Sequence, residues 1–103
     1  MVVAEVSIFP LGTGTTSVSD YVAAAVKAIE GSGLKCTLGA MGTTIEAETP
    51  EEAYAAVARA HAAVFELGAG RAYAVVKVDD RRDTGPRSGE ERLRSTREKL
   101  NAD

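Results

Sequence analysis

The chain is poor in the residues that most familiar chemistry needs. It has one cysteine and one histidine in 103 residues. No disulfide can close within it, and no Cys/His set can hold zinc. As a nucleophile Cys36 would need a neighbouring base, and His61 is the sole imidazole. A lone cysteine in an apolar strand reads as a small core residue, and a lone histidine on a helix flank reads as a packed or half-exposed side chain. A single thiol also suits a reducing cytosol. A basic excess is missing too: 12 Lys and Arg stand against 15 Asp and Glu, for a net charge of −3 and a pI near 5.2. That excludes a broad cationic face for a nucleic-acid backbone. No apolar run approaches the ~20 residues of a membrane span. Met1 leads straight into a strand pattern, with no basic n-region or cleavage site. The expectation is a cytoplasmic protein without metal, cofactor, membrane or nucleic-acid partner.

What is present fits one small domain. A chain of this length buries roughly two-thirds of its unfolded surface, enough for a modest core. Hydrophobic residues make up 45% of it, and many are alanine, which lets helices approach a sheet closely. Val2 to Pro10 alternates as a strand, with Ala4, Val6 and Ile8 on one side and Val3, Glu5, Ser7 and Phe9 on the other. Leu11 to Ser17 is a Gly/Thr-rich connector. It lacks the lysine of a phosphate-binding P-loop and the spacing of either glycine fingerprint. A helix follows from about Val18 to Glu30, capped by Ser17 or Ser19, with Val18, Val22, Ala25, Val26 and Ile29 at helical spacing. Gly31-Ser32-Gly33 stops it. Leu34 to Leu38 is a second strand with Leu34, Cys36 and Leu38 inward. A Gly39-Ala40-Met41-Gly42 turn leads to a third strand, in which Thr44, Glu46 and Glu48 face one side and Thr43, Ile45 and Ala47 the other.

Thr49-Pro50-Glu51-Glu52 is a strong helix start: a threonine cap, a proline at the first helical position and a glutamate to close the capping box. That helix continues to about Leu67, with Ala53, Val57, Ala60, Val64 and Leu67 toward the sheet. Arg71 to Asp79 is the fourth strand. Residues 1–83 thus form the domain, and 84–103 a linker and a C-terminal tail. In the tail Ser88 to Leu100 predicts a short helix whose apolar residues are only Leu93 and Leu100.

The order β-α-β-β-α-β with right-handed crossovers predicts an α+β, ferredoxin-like antiparallel sheet of order 4-1-3-2 with both helices on one face. A register follows from side-chain matching: Glu5 opposite Lys77, Ser7 opposite Val75 and Phe9 opposite Tyr73 on one flank. On the other flank Phe9 meets Thr44, Ser7 meets Glu46 and Glu5 meets Glu48. The helix-free face then sets Val3, Phe9, Tyr73 and Val75 around Ser7, Thr44, Glu46 and Lys77. Two readings compete for it. A homo-oligomer stacked sheet on sheet would use Val3, Tyr73, Val75 and Lys77, with Glu46 and Lys77 as interface ion-pair members. A small-ligand pocket near Ser7 and Glu46 would use the polar groups. Pattern alone favours the interface.

Four stretches resemble the thiamine-binding protein family of the YkoF-like superfamily. They are Ala4-Glu5-Val6-Ser7-Ile8-Phe9-Pro10-Leu11-Gly12, Ser19-Asp20-Tyr21-Val22, Met41-Gly42-Thr43-Thr44-Ile45-Glu46-Ala47-Glu48 and Lys77-Val78-Asp79-Asp80-Arg81. The resemblance covers residues 2 to about 83; the 13–16 loop and the tail are less similar. It implies a ferredoxin-like fold, dimers or tetramers, and non-catalytic binding of thiamine or its hydroxymethylpyrimidine half. An aminopyrimidine wants hydrogen-bonding side chains at its edge and an apolar wall along its ring. Ser7, Phe9, Thr43, Thr44 and Glu46 are the candidates. With no Lys or Arg between residues 11 and 20, free thiamine or hydroxymethylpyrimidine is favoured over the diphosphate, and an acylphosphatase-like hydrolase is disfavoured. A structural or regulatory oligomer without this ligand is the remaining alternative.

Overall fold

Alternation along the first strand sets the layers. In β1 (Val2–Pro10) every even-numbered residue is buried and every odd-numbered one half-exposed. The chain continues through α1 (Ser19–Glu30), β2 (Lys35–Leu38), β3 (Thr43–Ala47), α2 (Pro50–Glu66), β4 (Ala72–Asp80) and α3 (Gly89–Leu100). This computed structural model describes residues 1–85 and 87–102, so Pro86 of the expected linker and Asp103 of the tail lie outside the described residues. The sheet order is β2-β3-β1-β4 with every pair antiparallel. It is the expected order read from the opposite edge, and the fold is ferredoxin-like. Helices α1 and α2 cover one face. The core joins Ala4, Val6 and Ile8 of β1 to Ile45 of β3, Ala25 and Ile29 of α1, and Ala56, Ala60 and Val64 of α2. The small side chains let the two helices lie close on the sheet.

Caps explain most helix boundaries. The Thr49 hydroxyl accepts the Glu52 N–H at 3.2 Å, with Pro50 in the first turn, and the Ser88 hydroxyl accepts the Glu91 N–H at 3.2 Å. The expected serine cap of α1 is corrected. Val18 holds the cap position and no side chain caps the turn; in the loop before it Thr15 Oγ1 accepts the Ser17 N–H. Leu67 is also corrected: α2 ends before it and it is half-exposed, while Ala56 takes the buried place.

The β1–β4 register is as expected. Glu5 faces Lys77, Ser7 faces Val75 and Phe9 faces Tyr73. Lys77 Nζ lies 3.4 Å from Glu5 Oε1, and the Phe9 and Tyr73 rings are 5.6 Å apart. The β1–β3 register is a correction. Glu46 faces Val3 and Thr44 faces Glu5, four residues along β1 from the expected partners. Burial of one face fixes register only to within steps of two residues, and the true slip keeps every side chain on its expected face. Its consequence is geometric. The last β1–β3 pair is Val6 with Thr43, so Ser7 to Pro10 run on past the end of β3.

Helix α3 lies across the helix-free face. Its first N–H, from Gly89, donates to Glu46 Oε1 at 2.8 Å. Arg92 pairs with the Asp79 carboxylate and donates to the Met1 carbonyl oxygen at 3.2 Å. None of its residues is buried, as its sparse apolar content predicts.

Candidate ligand-binding cleft

The overhang of β1 creates a cleft of about 440 Å³. Ser7, Ile8 and Phe9 form one wall. Val22, Ala25 and Ile29 along α1, with Thr16 and Val18 before it, form the second, and the Leu38 to Thr43 turn forms the third. Leu38 points to the helix side as expected but is 64% exposed. It lines the cleft instead of the core. The turn is tight: the Gly39 N–H donates to the Gly42 carbonyl at 2.9 Å. A Cβ at Gly39 would lie 2.9 Å from that same oxygen, and one at Gly42 would lie 3.2 Å from the Val6 carbonyl oxygen. Side chains are excluded there, so the chain passes close under β1.

The lining is mostly apolar and carries no charged side chain. Its polar residues are Ser7, Thr16 and Thr43, with Thr43 on the helix side of the sheet and the Ser7 side chain on the helix-free side. Thr43 is 5% exposed, and its hydroxyl has no hydrogen-bond partner among the described residues. That hydroxyl is open to the cleft; among the described residues the fully buried side-chain polar atom left without a partner is Arg92 Nε. Met41, 85% exposed, stands at the mouth.

The five expected ligand residues therefore divide. Ser7, Phe9 and Thr43 all border the cleft, Thr43 from the helix side of the sheet and Ser7 and Phe9 along their strand with side chains on the opposite face. Thr44 lies on the helix-free face, in a groove beneath α3 with Val3, Glu5 and Lys77. Glu46 sits farther along that face, away from Ser7. Its carboxylate, with a side chain 8% exposed, accepts the Gly89 N–H and lies 3.4 Å from Lys35 Nζ. Its complement is thus supplied by the chain: the positive end of α3 and a lysine on β2. The charges of the groove are likewise matched, Lys77 with Glu5 and Arg92 with Asp79. Sequence reasoning missed Thr16, Val22, Leu38 and Met41 as lining residues. The Gly39-Ala40-Met41-Gly42 turn was the available signal, since an exposed methionine between close-packed glycines has no core to serve.

Of the expected interface residues, Tyr73 and Val75 are about half-exposed, Lys77 is exposed and Val3 is partly covered beside α3. Cys36 packs against the core from β2, and burial foremost, then the Glu30 carboxylate, pushes its thiol above the ordinary value of 9.0. His61 stacks on Phe65 with ring centroids 5.4 Å apart. Neither residue lines the cleft. Among the described residues no helix is long and apolar enough to cross a membrane.

Comparison with known proteins agrees with this architecture. The family described as thiamine-binding protein matches residues 4–97. A UPF0045 protein of Methanothermobacter thermautotrophicus is 43% identical over 100 residues, covering 97% of this chain and 100% of that one. The crystal structure of the hypothetical protein MJ1052 from Methanocaldococcus jannaschii superposes with a TM-score of 0.84 at 38% identity, covering 94% of this chain and 96% of the other. A Thermotoga maritima protein, TM0486, named for thiamine biosynthesis or salvage, shares the fold with a TM-score of 0.76 at 21% identity, over 92% of this chain and 97% of that one.

Proposed function

Because the chain belongs to the thiamine-binding protein family, we propose that the cleft binds thiamine or its hydroxymethylpyrimidine half without catalysis. The observation that carries the reading is the uncharged lining around the unpartnered Thr43 hydroxyl. An aminopyrimidine is flat and neutral, with an amine donor and ring-nitrogen acceptors. Hydroxyls serve it in either sense, since each can donate and accept. Thr43 and Thr16 supply the edge contacts, and Val22, Leu38 and Met41 supply apolar surface for the ring. A volume near 440 Å³ lies inside the ~300–1,000 Å³ usual for small-molecule sites.

The lining also orders the ligands. No Lys or Arg is there to hold a diphosphate. No carboxylate is there to neutralise the thiazolium, so the pyrimidine enters first and the cationic ring lies toward the mouth and water. Free hydroxymethylpyrimidine and free thiamine therefore bind, and the diphosphate binds more weakly. The protein would serve thiamine salvage, transport or homeostasis in the cytoplasm as a small homo-oligomer. Glu46 and Thr44 belong to the α3 side of the sheet, and we leave them out of the binding set.

A thermal-shift series with thiamine, hydroxymethylpyrimidine, thiamine diphosphate and acetyl phosphate tests this. Binding to the native state adds RT ln(1 + [L]/Kd) of stability. The melting temperature should rise with the first two and least with acetyl phosphate. A shift with acetyl phosphate alone would return the hydrolase reading, and no shift with any would leave a structural or regulatory oligomer.

A further inference from the structure

Helix α3 roofs part of the helix-free face without filling the space beneath it. Its polar grip on the sheet lies in its first turn: the Gly89 N–H on Glu46, and Arg92 on Asp79 and on the Met1 carbonyl oxygen. Past that turn a groove of about 520 Å³ opens between helix and sheet. Val3, Glu5, Thr44 and Lys77 floor it, and Leu93 and Thr96 roof it. No residue lines both this groove and the cleft between β1 and α1. Leu93 borders the groove and is 49% exposed. Covering that apolar surface would be favourable, and the chain leaves it uncovered.

The charges around the groove alternate in sign. Lys77 faces Glu5 across the β1–β4 ladder; two residues on, Asp79 faces Val3 and holds Arg92. The groove is thus lined by two cations and two carboxylates. A simple ion of either sign would meet as much repulsion as attraction there. A molecule that carries both charges can match both. The Lys77–Glu5 pair opens for it at little cost, because its side chains are 76% and 43% exposed and such pairs contribute little. Arg92 adds a donor in want of an acceptor. Its terminal nitrogens are taken by Asp79 and Met1, while its Nε is fully buried without a partner. A carboxylate is the strongest complement to that N–H. Since the polar grip of α3 is confined to one turn, a small shift of the helix suffices to offer it to the groove. Thr44, beside Glu5 on β3, brings a hydroxyl.

We infer that the groove beneath α3 is a second binding site, for a small zwitterion with an apolar body, of which a free apolar amino acid is the simplest. Its ammonium lies on Glu5 and its carboxylate between Lys77 and Arg92, with the Thr44 hydroxyl beside the head group. Its side chain lies between Val3 and Leu93 and covers the apolar surface that α3 leaves open. Both charges are required, since a ligand with one of them leaves the opposite half of the opened Lys77–Glu5 pair without a partner. The site is built from the sheet and from α3 together. Binding therefore holds α3 down, and occupancy is read in the opening of that helix.

Hydrogen exchange of the α3 amides, with L-leucine as the probe, tests this beside calorimetric titration. The ligand needs α3 docked, so at ten times its Kd it should slow exchange of those amides about tenfold. Glycine lacks the side chain, isocaproate the ammonium and isopentylamine the carboxylate. Each should bind more weakly than L-leucine by about tenfold or more. Lys77→Gln should weaken L-leucine by a similar factor. Leu93→Trp fills the groove and should abolish both the heat and the protection; thermal melts confirm that each variant is folded. No saturable heat with L-leucine, L-valine or L-phenylalanine overturns the inference. Isocaproate binding as tightly as L-leucine also overturns it, by marking a site for simple carboxylates. Leucine binding that leaves α3 exchange unchanged, or that persists undiminished in folded Lys77→Gln or Leu93→Trp protein, puts the amino acid elsewhere and overturns it too.

Discussion

Glu46→Gln separates the cleft from the α3 side of the sheet. The change keeps the side-chain shape and removes the charge. In the wild type the carboxylate accepts the Gly89 N–H at 2.8 Å and lies 3.4 Å from Lys35 Nζ. A hydrogen bond to a charged group contributes about 1.5–3 kcal/mol and a neutral one about 0.5–1.5, so the amide loses roughly 1–1.5 kcal/mol. The positive end of α3 adds about 0.3–1 kcal/mol for a charged partner. Lys35 is 57% exposed, and such pairs contribute little. The sum is a loss of about 1.3–2.5 kcal/mol from the docking of α3, equal to a factor of about 10–70 in its opening equilibrium. The effect on global stability is capped, because an undocked α3 leaves Glu46 in water where the substitution costs nothing. Hydrogen exchange of the α3 amides should therefore quicken about tenfold or more, while the melting temperature falls by less than the ~4–8 °C per kcal/mol typical of a small domain would give. Affinity for hydroxymethylpyrimidine should stay within about twofold, since no contact near the cleft changes. A tenfold loss of affinity with unchanged α3 exchange would refute this and return Glu46 to the ligand.

Thr43→Val exchanges the unpartnered hydroxyl for a methyl of similar size. Apo stability should hold or rise slightly, and ligand affinity should fall by about 2–13-fold, the value of one neutral hydrogen bond of about 0.5–1.5 kcal/mol; melts and calorimetric titration read the two. Cys36→Ala should cost about 1–2 kcal/mol at neutral pH through lost packing and leave affinity unchanged. The folded Cys36 thiol titrates above its unfolded value, so its contribution is complete below the unfolded value of about 8.5 and is lost as pH rises through the folded one. Wild type and Cys36→Ala should therefore converge in stability in alkaline buffer, which paired melts from pH 7 to 10.5 would show. Thr49→Ala removes the cap of α2 and should cost about 1 kcal/mol by denaturant melt, within the usual ~0.5–2.

The layers were legible because they depend on periodicity alone. Alternation in Val2–Pro10 and Thr43–Ala47 and helical spacing in Ala53, Ala60 and Val64 needed no distant partner to be read. The cap at Thr49 was legible for the same reason. The β1–β4 register could be read from Glu5 with Lys77 and Phe9 with Tyr73, because charge and aromatic matches selected one alignment. The β1–β3 register had no such match. Moving Glu46 from Ser7 to Val3 keeps both faces intact, so burial could not decide it, and the partner that does satisfy Glu46 lies 43 residues away at Gly89. That slip also hid the cleft. A cavity made by one strand outrunning its neighbour is a property of strand ends, and the one local sign of it was Met41 held between the glycines of the turn.

Calorimetric titration of hydroxymethylpyrimidine into the wild-type protein and into Thr43→Val is the most direct test of the binding cleft. The account predicts one saturable site per chain in the wild type and an affinity reduced about 2–13-fold in the folded variant, as the loss of one neutral hydrogen bond requires. No saturable heat in the wild type, or equal affinity in the two proteins, would contradict it.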